Sequence, residues 1–437
     1  MLVSRMDITE KLHGYVRFVG KDYINLLYSY AKPLKGKRAV MINSTKDGGG
    51  VAELLMSVVP CFEELGIATS WLELKAPYEF FSVTKAFHNA LQGESIDSLE
   101  SKIHAYENFY RELVEEFNRP IIETLNSLSS SDFVIIHDPQ PLALVNYRKK
   151  DGSKWLWRNH IDTTKPNKEL WQFVYNLASR YDLIITSKKN FIQGDSSKYK
   201  VIHPSIDPLT DKNRDMSTDE IMLKFEQYSI PIDKPIVLQV SRFDKWKDPM
   251  GVIEAYHKVR EKGVNCSLVM LGHFASDDPE GPALYEQMMD YKSKHACGDD
   301  IYLISSHDPL LVNALQRTAR VVLQKSLREG FALTVSEALW KCTPVIATDI
   351  GGIPLQIQHN KNGYLVECYD IDENGQPISS EERDNHISKV AHYICKLVSD
   401  SKMAEEMGEH GKEHVRNNFL ITRKLKDYLE LFNSLTS

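Results

Sequence analysis

The chain has 437 residues, of which 42% are hydrophobic and 26% charged, and its formal net charge is −7. That length suits two domains of about 200 residues each, and the acidic balance excludes the broad basic field that a nucleic-acid or anionic-membrane partner requires. Six cysteines (Cys61, Cys266, Cys297, Cys342, Cys368 and Cys395) are scattered without CxxC spacing, which excludes a disulfide frame and the usual zinc sites. The first residues lack the apolar core and cleavage pattern of a secretory signal, and no apolar run nears the ~20 residues that span a bilayer. The expected location is therefore cytoplasmic, with no membrane partner.

In chain order, Arg38–Asn43 (RAVMIN) predicts a strand. It is followed by the glycine loop Asp47-Gly48-Gly49-Gly50 and an apolar helical pattern from Val51 to Leu65. Thr69–Leu74 predicts a second strand, and the stretch from about Tyr78 to Leu128 is mostly helical in pattern. Strands follow at Phe133–Ile136, Lys154–Arg158 and Leu183–Thr186, with a helix between the last two. Pro204–Asp219 is polar and rich in turn residues, so the interdomain hinge is placed there and the domains at 1–212 and 213–437. A second α/β half restarts with strands at Ile236–Ser241, Ser267–Leu271, Ile301–Ile304, Arg320–Gln324 and Val345–Ala347. Helical stretches near His386–Val398, Met403–Phe419 and Thr422–Leu435 close the chain, and the last can pack back on the N-terminal domain. The expectation is an α/β protein with two doubly wound, Rossmann-like parallel sheets. Their strand C-termini would face each other across a cleft, where such folds bind ligands.

The most informative segment is Arg328–Glu337 (REGFALTVSE). It pairs two glutamates across seven intervening residues, around the start of a helix predicted over Ala332–Lys341. A strand-loop-helix unit aims unpaired amides and a positive dipole end at a phosphate. A carboxylate would repel a bare phosphate, so two of them point to a ligand that also offers hydroxyls, as a nucleoside diphosphate sugar does. The bland alternative makes Glu329 a first-turn charge and Glu337 a solvated helix residue. Gly48, Gly49 and Gly50 let amides approach an anion closely, although the loop is not GxGxxG and a nicotinamide site is poorly supported.

Arg242 and Lys247, in Ser241–Lys247 (SRFDKWK), follow a strand and are spaced to converge on one diphosphate, stabilising it as a leaving group without a metal. The plain alternative is a solvated basic loop. His137-Asp138 and Arg158-Asn159-His160-Ile161-Asp162 follow two further strands, where such side chains can bind sugar hydroxyls or orient an attacking one. Weaker signals are His273 with Asp277-Asp278-Pro279-Glu280-Gly281, Ser305-Ser306-His307-Asp308, and Gly351-Gly352-Ile353-Pro354.

Taken together, these stretches resemble the retaining glycosyltransferases of the GT-B fold, family 4. EGFALTVSEAL shows that family's glutamate-x7-glutamate pattern, with Ala332 where a second glycine is usual. STKDGGGVAELL, WRNHID, PSIDPLTDKN and NALQRTARVVLQKSLREGF are similar to trehalose glycosyltransferring synthases, and the likeness runs from about Val40 to the C-terminus. The resemblance implies retaining transfer of glucose from a nucleoside diphosphate glucose to free glucose, giving α,α-trehalose. Retaining trehalose phosphorylases, which use glucose 1-phosphate, share much of the pattern, and a sugar-nucleotide epimerase shares the architecture.

The resemblance also implies roles for particular residues. Glu329 would bind donor-glucose hydroxyls and hold developing positive charge, and Glu337 would accept both ribose hydroxyls. The backbone of Gly330, Phe331, Ala332 and Leu333, with the Thr334 hydroxyl, would contact sugar and phosphates. Arg242 and Lys247 would neutralise the diphosphate while Gly48, Gly49 and Gly50 close on the donor. His137, Asp138, Arg158, His160 and Asp162 would face the acceptor glucose. The departing phosphate oxygen would take the acceptor's proton, so no carboxylate need act as nucleophile, in contrast to a retaining glycosidase. No cofactor and no metal are expected. The nucleotide base stays open, as do glucose against glucose 6-phosphate as acceptor, the preferred direction of a reversible reaction, and a homodimer.

Overall fold

The computed structural model describes residues 11–46, 49–273, 280–295, 297–372 and 376–436, so Asp47, Gly48, Asp277, Asp278 and Pro279 lie outside the described residues. The chain divides into two compact units: the residues up to Asp207 together with those from Leu420 on, and Pro208–Phe419.

The first unit carries a wholly parallel sheet of β1 (Arg38–Asn43), β2 (Ala68–Glu73), β3 (Phe133–His137), β4 (Lys154–Arg158), β5 (Leu183–Thr186) and β6 (Tyr199–Val201), in the order β2-β1-β3-β4-β5-β6. FVIIH and KWLWR read as near-continuous apolar runs because both faces of a parallel sheet are covered. The helix Gly50–Glu64 follows β1, and its N-cap, Gly49, sits at φ +80 with no side-chain cap. The helical region after Tyr78 is three helices, Tyr78–Leu91, Leu99–Asn108 and Val114–Asn126, the last two joined by a π turn at Phe109–Leu113. Asn118 leaves helical geometry two residues before Pro120, whose ring and missing N–H force a kink. Its amide then bonds both the N–H and the carbonyl of Lys75, each at 2.7 Å. The final helix, Ile421–Thr436, belongs to this unit. Phe432 on it is fully buried and stacks on Phe133 of β3, with centroids 4.2 Å apart.

The second unit repeats the design with β7 (Ile236–Val240), β8 (Ser267–Gly272), β9 (Ile301–Ser305), β10 (Val321–Gln324), β11 (Val345–Thr348) and β12 (Gly363–Val366), all parallel, in the order β12-β11-β10-β7-β8-β9. Two edge strands, β6 and β12, were not predicted. The first has three half-exposed residues, and the second opens on a glycine after a polar turn, so neither carries a period. Each sheet reverses direction once, between β1 and β3 in the first unit and between β7 and β10 in the second. In doubly wound sheets the loops leaving the strands at such a point diverge and open a crevice for ligand. All six cysteines are free thiols. No helix of the described residues is long and apolar enough to cross a membrane.

Phe432→Ala should lower unfolding free energy by roughly 3–5 kcal/mol, the cost of deleting a buried aromatic ring. Urea denaturation measures this; a loss under about 1 kcal/mol would mean the final helix is not part of the sheet's core.

Candidate active site

In the second unit the loops after β7 and β10 meet at the reversal point. Two buried glutamines on these neighbouring strands set them. Gln239 of β7 donates through Nε2 to the Lys247 carbonyl and to Ser241 Oγ, each at 3.1 Å. Gln324 of β10 donates to Ser326 Oγ at 2.8 Å and lies 3.4 Å from Glu329 Oε2, while its Oε1 accepts from the Thr334 hydroxyl at 2.7 Å. Lys247 Nζ is thereby brought 2.7 Å from Glu329 Oε2, and both side chains are mostly buried. A charge-assisted contact of this kind is short and directional.

Beneath it, Lys325 forms a buried ion pair with Asp248 Oδ2, and the Tyr369 hydroxyl donates to the same oxygen at 3.2 Å. Lys325 and Asp248 directly adjoin the two loops, so this pair pins both together. Removing either partner would strand a buried charge. The Arg328 guanidinium stacks 4.0 Å over the Trp246 ring, a further tie between the loops. Arg242 is different: its side chain is 45% exposed and its nearest partner is Asp244 Oδ2 at 3.0 Å. The two cations expected to converge thus have separate carboxylate partners.

The helix Leu333–Trp340 starts at this point with no side-chain cap. Its first amides have no intrahelical acceptors, and its positive end lies beside Glu329. Ala332, its N-cap, adopts the left-handed region at φ +65. Gly330 accepts from Gly352 N–H at 3.0 Å, and a Cβ on Gly352 would press within 2.7 Å of that carbonyl. Gln356 donates to the Phe331 carbonyl and accepts from Ser336 Oγ at 2.6 Å. Gly351-Gly352 therefore supports the Gly330–Phe331 backbone. The Thr334 proton, expected to reach donor phosphates, is instead committed to Gln324.

Glu337 is not the solvated residue of the bland reading: it is 2% exposed. Its Oε1 lies 3.7 Å from Lys212 Nζ, and its Oε2 is buried and accepts no hydrogen bond among the described residues. One turn on, Lys341 Nζ donates to the Glu337 carbonyl, Asn213 Oδ1 and Gln316 Oε1 at 3.1, 2.8 and 2.9 Å. Burial pushes this ammonium down to about 7, against the pull of the Glu337 charge. His273 and His307, just beyond β8 and β9, meet edge to face at 4.9 Å.

In the first unit, β3 and β4 carry the other predicted residues. His137 Nδ1 and His160 Nε2 are 3.0 Å apart, with near-parallel rings. Burial, then neighbouring positive charge, holds both imidazoles well below their ordinary value, so the pair is neutral. Asp138 takes the left-handed conformation at φ +64 and accepts the His160 N–H at 2.8 Å. Burial pushes its carboxyl up to about 7, opposed by that hydrogen bond and by Arg158. Asp162 Oδ1 caps Thr164, accepting its N–H at 2.9 Å and its hydroxyl at 2.6 Å. Arg158, expected to face an acceptor, has no exposed surface. It donates to the Ile202 carbonyl at 2.8 Å and to Ser187 Oγ at 3.0 Å, tying β4 to the strand beside it and the segment beyond. Gly49 and Gly50 lie at the uncapped start of their helix, and Gly48 lies outside the described residues.

Residues 41–193 match the family model described as trehalose synthase, N-terminal domain, and residues 221–414 match that of glycosyl transferases group 1. The trehalose synthase of Pyrococcus horikoshii is 40% identical over 97% of this chain and 96% of its own length. The chain belongs to the trehalose synthase family of GT-B, family 4 glycosyltransferases. Members of that family are enzymes, and this one is a hexosyltransferase. The trehalose phosphorylase of Pleurotus pulmonarius is more distant, 27% identical over 94% of this chain and 59% of the phosphorylase. Among solved structures, the UDP-forming α,α-trehalose-phosphate synthase of Burkholderia vietnamiensis superimposes with a TM-score of 0.67 at 13% identity, covering 92% of this chain and 98% of its own, which shows the shared GT-B fold.

Six further polar residues of this trehalose synthase relative carry no local motif in the sequence: Gln239, Gln324, Lys325, Lys212, Lys341 and Lys424. Lys424 is buried in the final helix, and burial followed by Arg158 and Arg423 drives its ammonium well below the ordinary value. The usable signal was a lysine at an apolar position of an amphipathic helix, between Ile421 and Leu425.

Two variants test the local physics. Ala332→Gly should raise stability by about 1 kcal/mol, because an L-residue pays that much in the left-handed region; an unchanged unfolding midpoint would refute the strain. The Asp138 carboxyl, raised in the folded state from 3.8 to about 7, costs nothing below the unfolded value and its full penalty above the folded one. Asp138→Asn should therefore gain stability over wild type as pH rises from 4 to 8, at a rate of up to roughly 1.4 kcal/mol per pH step between those two values. Parallel unfolding curves across that range would contradict it.

Proposed function

We propose that this enzyme transfers glucose from a nucleoside diphosphate glucose to free glucose with retention, releasing the nucleoside diphosphate and α,α-trehalose. The Lys247–Glu329 contact at the β7/β10 reversal, beside an uncapped helix N-terminus, carries this reading. It sets a cation and orphan amides against a diphosphate, and a carboxylate against a sugar ring becoming cationic. The donor C1–O bond to the diphosphate breaks as positive charge grows on C1. Lys247, Arg242 and the helix amides stabilise the departing anion, and Glu329 faces the ring. The acceptor's anomeric oxygen bonds to C1 on the face that the diphosphate leaves, and its proton passes to the departing phosphate oxygen. Glu337, with one buried oxygen unbonded, takes the ribose diol.

The neutral His137–His160 pair and Asp162 recognise acceptor hydroxyls. A neutral imidazole offers one donor and one acceptor, which suits a hydroxyl better than two repelling cations would. Arg158 supports this surface from below and makes no direct contact in the proposal. Ribose recognition favours a nucleotide donor over glucose 1-phosphate, which has no ribose for Glu337 to hold.

Incubation with UDP-glucose or ADP-glucose plus glucose should give trehalose and the free diphosphate. Trehalose from glucose 1-phosphate without nucleotide would establish the phosphorylase instead, and an epimerised nucleotide sugar without disaccharide would establish an epimerase. Glu329→Ala and Arg242→Ala should each slow turnover well over tenfold in a folded protein. Rates near wild type would remove that residue from the mechanism.

A further inference from the structure

The PSIDPLTDKN segment enters the second unit with its backbone fixed by helix side chains. Asn313 Nδ2 donates to the carbonyls of Asp211 and Arg214, each at 2.8 Å, and the Arg317 guanidinium donates to the Arg214 carbonyl at 2.7 Å. Asn213 Oδ1 accepts from Lys341 at 2.8 Å. Between these anchored residues stands Lys212, 3.7 Å from Glu337 Oε1. The Glu337 side chain is 3% exposed and that of Lys212 is 23% exposed, so the lysine screens the carboxylate from one side. Oε2 stays buried and unbonded among the described residues.

A carboxylate accepts through both oxygens, so an ammonium held at one of them fixes where the other points. We propose that Lys212 is a positioning residue for the donor: it draws Glu337 round by one oxygen, so that the other is presented to the vicinal hydroxyls of a nucleotide ribose. This rests on the ribose role given to Glu337 above. Lys341 does not do the same work, since its ammonium is held by the Glu337 backbone carbonyl and by the amide oxygens of Asn213 and Gln316. Asn313 and Arg317 serve Lys212 only by fixing the backbone that carries it.

Titration calorimetry of the full chain with UDP and ADP, and with their 2′-deoxyribose counterparts, tests the assignment. Wild type should prefer the ribose form of whichever base binds. Lys212→Met should weaken that nucleotide about tenfold and bring the ribose-to-deoxyribose preference close to one. Lys212→Arg, which keeps the charge, should restore both to within about twofold. A lysine that merely stabilised the fold would change the unfolding midpoint and leave the preference intact, and that result would overturn the proposal. So would tighter binding by Lys212→Met, which would make the lysine a competitor of the ribose. Glu337→Gln separates the two readings. If it loses affinity and preference while Lys212→Met keeps them, Lys212 is excluded and ribose recognition stands. If Glu337→Gln keeps them, or if neither nucleotide binds wild type, ribose recognition itself fails.

Discussion

A lysine and a glutamate 82 positions apart in sequence are held at 2.7 Å in the second unit, and most of the site's architecture serves that contact. Backbone bonding within the loops is slight: one 3-10 turn over Lys245–Lys247, and the Leu327 N–H donating to the Trp246 carbonyl at 2.8 Å between them. Definition comes from below: Gln239 and Gln324, adjacent on parallel strands, each fasten one loop by an amide. The Asp248–Lys325 pair then crosses between the loops, with Tyr369 completing the acceptor. Buried polar groups of this kind contribute little net stability, because desolvation offsets their attraction. They specify a geometry, since any other arrangement leaves a charge or an amide unmatched in a low-dielectric interior.

The first unit handles polarity in the opposite way. Its two histidines are kept uncharged by burial and by the cations Arg158 and Lys424 behind them. The site of the second unit pairs opposite charges, whereas here the two facing imidazoles are kept neutral. Neutral imidazoles suit an uncharged polyol, while paired ions suit a ligand with its own charge. Both sheets are six-stranded and parallel with one reversal of strand order, and the difference in chemistry arises from a few side chains at strand ends, as expected where function is grafted on a related scaffold.

Strands with both faces covered were legible because burial writes itself as an apolar run: RAVMIN, FVII, KWLWR and IVLQV all lie in β-structure within a residue or two of their expected ends. Edge strands β6 and β12 were not: the first is three partly exposed residues, and the second, though mostly buried, is four residues opening on a glycine, too short to stand out as a run. The glutamate pattern and the basic loop were legible as local motifs at strand ends. What holds them was not. Asp248 with Lys325 and Asn213 with Lys341 are joined across 77 and 128 residues, and a single sequence offers no way to pair distant polar groups. Arg158 misled for a related reason, since a guanidinium at a strand end suggests a ligand until the carbonyl and hydroxyl that absorb it are visible.

The final helix belongs to the first unit although the whole second unit precedes it in the chain, and Ile421 N–H bonds the Ile206 carbonyl at 2.9 Å where the two crossings run side by side. During synthesis, the early sheet leaves the ribosome with the face that Phe432 covers still bare, and it waits for more than 200 residues before that wall arrives. The second unit is contiguous and can complete itself vectorially. The discontinuous one, begun first, matures last, so a nascent chain truncated anywhere before Leu420 exposes a sticky apolar surface to its chaperones.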